Sequence, residues 1–334
     1  MNSFPKDLAA RLLAVAAPLP SVTIGFDGFM DEMISLVGER QSLAEFKAVP
    51  DITTFGELIT KAAGHSSLRE IVVNGVHPGG CAINMGDGLA AFGVPVDGFA
   101  TLGEPVHPAF ASVIAGFTPE HVATMLADGA YATACATARV IALTDWSLYP
   151  HMTAVWRLLQ EKVYARLVHR PAFFIDLVDP SSRSPGDIRA MLDTLSAFAA
   201  TGAFTLGLNG NEANILARLL GLPAAGTVPE SVPQQAHSLR ERLGIAEVVI
   251  HHIKFAAVAN ATETAIMDTF YCAKPKKSTG AGDRFNAGYC LGLLLKLDAR
   301  SRLVCANASA GFFVREARSA SLPELAQFIL TLSA

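Results

Sequence analysis

The stretch that decides the fold lies near the C-terminal end of the chain. It reads Ser278-Thr279-Gly280-Ala281-Gly282-Asp283-Arg284-Phe285-Asn286-Ala287-Gly288. Its small residues leave backbone N–H groups uncovered in a tight loop, and the apolar residues that follow predict a buried helix. Free N–H groups and the helix dipole both favour a bound anion at such a helix N-terminus. The stretch therefore predicts a phosphate-binding loop that leads directly into a helix.

Asp283 adds a carboxylate to this predicted anion site. A carboxylate beside a bound phosphate can act as a general base and take the proton of an attacking hydroxyl. An anion loop and a base in one short segment predict phosphoryl transfer to an alcohol.

The same residues resemble the C-terminal motif of the ribokinase-like carbohydrate kinases, the phosphofructokinase-B superfamily. The resemblance implies that Asp283 is the catalytic base. It also implies that Thr279, Gly280, Ala281 and Gly282 form the phosphate-binding loop, in which the backbone of the last three is the anion hole. ATP as co-substrate and Mg²⁺ as the metal ion follow from the same resemblance.

Composition narrows the class of protein further. Of the 334 residues, 51% are hydrophobic and 17% are charged, which predicts a large core without disorder. The net charge of −4 indicates neither a nucleic-acid partner nor an anionic membrane. No apolar run reaches the roughly 18 residues that span a bilayer. The five cysteines are scattered without a C-x-x-C pair, which favours a reducing cytoplasm.

The order of predicted elements indicates an α/β fold. From residue 152 onward, helical segments alternate with short apolar strands, and such alternation produces parallel β-α-β units. Asp176 and Asn209 each end a predicted strand, at the edge where ligands bind in open α/β sheets. We expect a ribokinase-like three-layer sandwich with a mostly parallel central sheet, formed as one kinase domain over residues 1–334.

Three half-exposed strands do not fit the regular α/β pattern. They lie near residues 31–40, 70–78 and 131–144. The resembled family carries a small β-sheet lid that grows from its N-terminal half and closes over the sugar. We therefore expect these segments to form such a lid, through which the resemblance also allows a homodimer.

The segment Gly79-Gly80-Cys81-Ala82-Ile83-Asn84 resembles the N-terminal Gly-Gly-x-x-x-Asn motif of the family. Paired glycines let a substrate approach the backbone, and an asparagine amide can both donate to and accept from hydroxyls. The resemblance implies that Gly79, Gly80 and Asn84 bind substrate. The alternative is a simple strand-to-helix turn with Asn84 as an early helical residue.

Two aspartates follow the first predicted strand, and either can bind substrate hydroxyls. In the resembled family an aspartate at this place has that role, since a carboxylate accepts two hydrogen bonds at once. The spacing favours Asp31, and Asp27 is the second candidate. Either could instead be a turn residue.

Asn209-Gly210-Asn211-Glu212 matches the Asn-x-x-Glu motif of the family. Mg²⁺ prefers oxygen ligands and keeps several waters, so Asn209 and Glu212 are expected to organise the metal through water. The alternative is that Asn209 or Asn211 caps the helix that begins here.

His251 and His252 stand where the family usually has Thr-x-Gly-x-x-Gly, the segment that wraps the nucleotide. This difference leaves nucleotide choice open and allows a catalytically silent sugar or nucleotide sensor as a rival function. Phe26 and Phe29 could stack on a base, which allows a nucleoside kinase as a second rival. The chain has no Gly-Lys-[Ser/Thr] phosphate loop, so a Walker-type kinase is excluded.

Overall fold

The structure is a computed structural model that describes residues 3–64, 67–101, 117–226 and 228–332. The chain divides into two compact units. The large unit comprises Met1–Gly28 and Cys81–Ala334, and the small unit is Phe29–Gly80. No helix within the described ranges is long and apolar enough to cross a membrane.

The described residues contain eleven strands, numbered along the chain. They are β1 (Val22–Phe26), β2 (Phe29–Arg40), β3 (Phe46–Ala48), β4 (Ile71–Gly79), β5 (Val96–Ala100), β6 (Val140–Thr144), β7 (Ala172–Asp176), β8 (Ala203–Asn209), β9 (Glu247–His251), β10 (Phe255–Asn260) and β11 (Thr264–Asp268).

The helices in the same ranges are numbered likewise. They are α1 (Phe4–Leu13), α2 (Ile52–Ala62), α3 (Cys81–Ala91), α4 (Pro119–Met125), α5 (Ala130–Thr137), α6 (Met152–Lys162), α7 (Pro185–Thr201), α8 (Gly210–Leu219), α9 (Val232–Leu243), α10 (Ala281–Leu294), α11 (Ala299–Glu316) and α12 (Leu322–Ile329).

The large unit is an α/β fold around one eight-stranded sheet. The strand order is β11-β10-β9-β8-β7-β6-β1-β5. The pairs from β5 to β9 are parallel, and β10 and β11 add an antiparallel hairpin at one edge. Helices link the parallel strands and cover both faces, as parallel sheets require. The expected mostly parallel α/β fold is confirmed.

Alternation along β7 shows how both faces of the sheet are buried. Phe174 belongs to a core formed with α1, α3, α10, α11 and α12. Its neighbour Phe173 points to the other face, where its ring meets those of Tyr164 and Phe198 at centroid distances of 5.2 and 5.3 Å. These four aromatic residues are at most 1% exposed, so packing on both faces fixes the position of the strand.

The small unit is a three-stranded antiparallel sheet with the order β3-β2-β4, together with α2. Asp51 caps α2, because its carboxylate accepts the N–H of Thr54 at 2.8 Å. Residues 31–40 and 70–78 fall within this sheet apart from residue 70, as the sequence pattern predicts.

The prediction that residues 131–144 belong to the small sheet is wrong. Residues 131–137 are helical within α5, and Val140–Thr144 is the fully buried strand β6. This strand lies between β1 and β7 in the parallel sheet. Its weak alternation reflects burial on both faces, because such a strand needs no polar side.

Candidate active site

The predicted phosphate-binding loop forms the N-terminus of α10. Gly280 has φ of +85°, a left-handed conformation that favours glycine, and it directly precedes the helix. The N–H of Ala281 donates to the carbonyl of Ser278 at 3.0 Å, so this member of the predicted anion hole is occupied. Within the described part of the chain, the N–H groups of Gly280, Gly282 and Asp283 find no acceptor. They are the donors that remain for an anion.

Asp283 lies in the first turn of α10 and is 8% exposed. Burial raises the pKa of its carboxyl to about 7, and the carboxylates of Asp176 and Asp27 act in the same direction. A hydrogen bond from the Cys81 thiol and the charge of Arg284 lower the pKa in part. The group can therefore take up and release a proton near neutral pH.

Three further buried aspartates influence one another at the carboxyl ends of β1, β6 and β7. Burial raises the pKa of Asp27 and of Asp176, and it raises the pKa of Asp145 to about 8 with help from Asp27. Asp145 follows β6 and has φ of +58°. The sequence interpretation missed it because β6 had been placed in the small sheet. The strand-end rule that selected Asp176 would otherwise have selected Asp145 as well.

Asp27 is fully buried and engaged by its own unit. Its carboxylate accepts the N–H groups of Cys81 and Ala82 at the start of α3, the latter at 3.0 Å. The hydroxyl of Thr144 donates to it at 2.5 Å. This carboxylate thus neutralises the N-terminus of α3 and links it to two central strands.

Helix α3 brings the second motif to the phosphate-binding loop. The Cγ and Nδ2 atoms of Asn84 both lie 3.4 Å from the place that a Cβ on Gly280 would occupy. Cys81, at the first position of α3, hydrogen-bonds through its thiol to Asp283. Two segments that are about 200 residues apart in sequence therefore meet beside Asp283. Thr279 is exposed beside them.

Asp31, Gly79 and Gly80 lie in the small unit. Phe29 pairs with Gly79 across β2 and β4, and the Asp31 carboxylate lies against the Cα of Gly79, where any side chain would collide with it. Gly80 has φ of +94°, which favours glycine. The close contact with Asp31 and the left-handed backbone thus explain why glycine occupies positions 79 and 80.

Asn209 and Glu212 form a reciprocal cap at the N-terminus of α8. The Asn209 side-chain oxygen accepts the N–H groups of Asn211 and Glu212 at 2.9 and 3.0 Å. The Glu212 carboxylate accepts the backbone N–H and the amide of Asn209 at 2.7 and 2.6 Å. The helix-cap alternative is therefore confirmed for Asn209, and it is compatible with a metal role because each oxygen of the Glu212 carboxylate accepts one hydrogen bond and keeps a free lone pair.

The surroundings of Glu212 suit a cation that brings its own ligands. Burial raises the pKa of Glu212 well above its ordinary value, and the charge of Asp176 raises it further. A cation beside this carboxylate would relieve that cost. No group of three His, Cys, Asp or Glu residues in the described ranges could enclose a metal by itself. That donor set fits Mg²⁺, which keeps waters and phosphate oxygens in its shell.

A cavity of about 340 Å³ adjoins the phosphate-binding loop. His251, His252, Gly282 and Phe285 are among its lining residues. Burial lowers the pKa of His251 to about 4, so this ring is neutral at pH 7. The ring of His252 stacks on Phe255 with centroids 4.4 Å apart and fills the space next to Gly210. Two imidazoles thus replace the expected glycine-rich wrap in the wall of this cavity.

Phe26 packs inside an aromatic cluster of the large unit. It is 6% exposed, and its ring lies 5.5 Å from Phe117 and 5.4 Å from Tyr131 between centroids. Its ring is therefore held mainly by other aromatic side chains. Phe26 also lines a cavity of about 430 Å³ in the large unit.

Comparison with known proteins assigns the family. A family model described as prokaryotic ketohexokinase matches residues 8–135 and 119–331. This chain belongs to that family. A curated relative, the ketohexokinase of Haloferax volcanii, is 27% identical over 342 residues, covering 92% of this chain and 90% of the relative. The chain is a carbohydrate kinase, an enzyme that phosphorylates a sugar with ATP.

Solved structures show the same fold at low sequence identity. A ribokinase from Thermotoga maritima aligns with a TM-score of 0.59 at 14% identity, covering 94% of this chain and all of that one, 100%. Phosphofructokinase-2 from Escherichia coli gives 0.57 at 14% identity, covering 95% and 100%. A ribokinase II from E. coli, solved with ATP and Mg²⁺, gives 0.58 at 17% identity, covering 93% and 99%. The ribokinase-like fold is therefore confirmed.

Proposed function

We propose that this carbohydrate kinase transfers the γ-phosphoryl group of ATP to a hydroxyl of a ketohexose such as fructose. The family description and the name of the curated relative support the choice of a ketohexose. The observation that carries the chemistry is Asp283. It is a buried carboxyl whose pKa is raised to about 7, in the first turn of a helix with free N–H groups.

Asp283 acts as the general base in this proposal. Its carboxylate takes the proton of the acceptor hydroxyl while the hydroxyl oxygen bonds to the γ-phosphorus. The bond from that phosphorus to the bridging oxygen breaks, and ADP leaves with the electron pair. A base with a pKa near the working pH combines sufficient ionisation with sufficient basicity. The placement of Asp283 beside a phosphate-binding loop supports this role.

The free N–H groups of Gly280, Gly282 and Asp283 stabilise the negative charge that develops on the transferred group. Such donors are fixed in direction before the reaction, so no reorganisation is needed in the transition state. Thr279 is also a phosphate-binding residue in this proposal, and Ala281 holds the shape of the loop through its hydrogen bond to Ser278.

Asn209 and Glu212 would hold Mg²⁺ through water. A bound Mg²⁺ would supply positive charge that offsets the charge of the nucleotide phosphates. The cap that joins the two residues fixes the Glu212 carboxylate in one orientation, with the raised pKa that a cation would relieve.

The acceptor sugar is bound by Asp31, Gly79, Gly80 and Asn84 in this proposal, with the small sheet as a lid. Asn84 lies against Gly280 and so would reach a hydroxyl that is positioned for transfer. The Asp31 carboxylate makes no hydrogen bond within the described residues, whereas the Asp27 carboxylate is engaged by α3 and Thr144. This contrast favours Asp31 over Asp27 as the ligand of the sugar.

The nucleotide binds in the cavity of about 340 Å³ beside the loop. His251 and His252 fill space there that glycines would leave open. Because side chains replace a close backbone wrap, contacts to the base contribute little and phosphate contacts dominate the affinity.

We also propose that two chains pair through the small sheet. Even-numbered residues of β2 share one face, and cross-strand partners such as Ile34 and Val73 lie on the same face. This face carries apolar side chains that are 40–51% exposed: Met30, Ile34, Ile71, Val73 and Val76. Such a patch is typical of a protein contact. Sedimentation analysis should show a dimer that Ile34→Lys dissociates, and an unchanged mass for this variant would contradict the pairing.

The function is tested by a phosphoryl-transfer screen with the purified chain, ATP and MgCl₂. Fructose, glucose, ribose and adenosine are compared by ADP release, and the sugar phosphate is identified by NMR. We expect fructose to give the highest kcat/KM. A preference for adenosine would support the nucleoside kinase instead, and ATP binding without ADP release on any substrate would support the silent sensor.

A further inference from the structure

Arg284 is the residue that follows the proposed base, and its side chain is buried between three segments of the large unit. The residue is 6% exposed. Its guanidinium stacks on Phe313 of α11 with the carbon 4.4 Å from the ring centroid. Nη2 donates to the Asp87 carboxylate on α3 at 2.7 Å, and Nε donates to the hydroxyl of Ser319 at 3.1 Å. These contacts hold the guanidinium in one orientation.

The remaining amino group of Arg284 has no acceptor among the described residues. Nη1 is buried, and it lies 3.0 Å from the place that a Cβ on Gly280 would occupy. It therefore lies next to Gly280 of the phosphate-binding loop. The side chain of Asn84, the proposed sugar ligand, touches the same point on Gly280 from its own helix.

A buried guanidinium N–H without an acceptor is costly, because arginine keeps its charge at all physiological pH values and its donors therefore stay strong. A donor of this kind is compensated when an anion binds within its reach. The nearest proposed anion site is the loop, whose Gly280, Gly282 and Asp283 N–H groups are also unpaired. The loop thus has four unpaired donors at or beside it: three backbone N–H groups and the charged amino group of Arg284.

We propose that Arg284 is a phosphate-binding residue of this enzyme and that its guanidinium, through Nη1, binds the phosphoryl group held at the Gly280–Gly282 loop. Backbone N–H groups fix the direction of the phosphoryl oxygens, and Nη1 of Arg284 adds a donor from a charged group, which the loop itself lacks. The inference rests on the proposed function in that the anion is the phosphate chain of the nucleotide.

A purely mechanical role is the alternative explanation. Arg284 joins α10, which carries Asp283, to α3, which carries Asn84, because its Nη2 forms an ion pair with Asp87 that partly offsets the charge of the guanidinium. The two explanations differ in what removes phosphate affinity. Loss of the charge should weaken phosphate binding, whereas loss of the Asp87 carboxylate breaks the tie and leaves the charge in place.

The test measures binding of inorganic tripolyphosphate, and of ATP, by calorimetry on the full chain. Loss of a charge-assisted contact predicts about tenfold weaker binding of both in Arg284→Gln and Arg284→Met. The affinity of Asp87→Asn for both ligands should stay within about threefold of wild type, because this variant keeps the charged guanidinium of Arg284. Arg302→Gln is the matched control. Arg302 is a buried arginine that pairs with Glu247, so its loss should lower thermal stability and leave tripolyphosphate affinity unchanged.

Equal tripolyphosphate affinity in wild type and in whichever of the two Arg284 variants folds would overturn the proposal. An equal loss in Asp87→Asn would also overturn it in favour of the mechanical role. A wild-type chain that binds neither ligand would contradict both this proposal and the use of ATP. If tripolyphosphate binding falls in the Arg284 variants but no ketohexose is phosphorylated, only the proposed sugar substrate is wrong.

Discussion

The sheets of the two units differ in how they are covered. In the large unit every residue of β1 and β6 is buried, with helices on both faces. In the small unit β2 is half-buried or exposed along most of its length, and its apolar side chains meet solvent. A strand buried on both faces fixes the groups at its end, whereas an open sheet keeps surface for a ligand or a second chain. The proposed catalytic base Asp283 therefore lies in the unit with the fully covered sheet, and the proposed sugar ligand Asp31 lies in the unit with the open sheet.

Asp27 and Asp31 show this difference within four residues of sequence. Asp27 lies in the large unit, where its carboxylate accepts hydrogen bonds from two backbone N–H groups and from the hydroxyl of Thr144. Asp31 lies in the small sheet against Gly79. The same residue type is therefore a structural connector in one unit and a candidate ligand in the other.

The largest effect is expected in the large unit, at the proposed base. Asp283→Asn keeps the shape of the side chain and removes its basicity, so turnover should fall by at least ~10²-fold while ATP and sugar still bind. Rates under saturating substrate, together with binding titrations, measure this. Turnover within a few-fold of wild type would transfer the role of base to another group, such as Asp145.

The pair Asp27 and Asp31 tests the comparison directly. Asp31→Ala should weaken sugar binding by about 2–5 kcal/mol, as expected when a hydrogen-bonded charged partner is removed, and should leave the melting temperature nearly unchanged. Asp27→Ala should do the opposite, because the N-terminus of α3 loses its cap. Sugar titrations and thermal unfolding on both variants are needed. The reverse ranking of sugar affinity would make Asp27 the ligand.

A smaller effect on the reaction rate is expected at Glu212, which takes part both in the cap of α8 and in the proposed Mg²⁺ site. Glu212→Gln should raise the Mg²⁺ concentration for half-maximal rate by about tenfold, as for residues that orient metal-bound groups, with a smaller rise in the sugar KM. Asn211→Ala is a control at the same helix N-terminus, since its side chain makes no hydrogen bond within the described ranges. If Glu212→Gln changes only the melting temperature, the residue is a cap and nothing more.

The smallest effect concerns the nucleotide base. The KM values for ATP, GTP and ITP should lie within roughly tenfold of one another, or about 1.4 kcal/mol, because phosphate contacts dominate. Steady-state kinetics at saturating sugar provide the comparison. A preference for ATP of a hundredfold or more would mean that His252 and its neighbours form a specific adenine pocket.

Much of the fold was predictable because local patterns and packing agree there. From residue 152 to β9, buried strands alternate with helices, and the predicted element types were confirmed. The error at residues 131–144 arose because a strand buried on both faces has weak alternation, and position in the sheet is a non-local property. The same error caused the sequence interpretation to miss Asp145, which follows this strand.

The site itself was predictable only as residue types in two motifs. Sequence spacing brought attention to Asp283 and Asn84, and the structure places both beside Gly280. The occupation of the Ala281 N–H by Ser278 depends on loop geometry, which residue type does not determine. The direction of Arg284 likewise depends on Asp87 and Phe313, which are distant in sequence.

The central claim is that Asp283 is a general base with a pKa near 7, and the pH dependence of kcat/KM for fructose tests it most directly. Only the ionised carboxylate accepts a proton, so activity should be full above the pKa and lost as the pH falls through it. His251, with its pKa lowered to about 4, does not ionise in this range. We predict a plateau above pH ~8 and a fall of about tenfold per pH unit below pH ~6.5. A profile that stays flat down to pH ~5, near the ordinary aspartate range, would contradict the account.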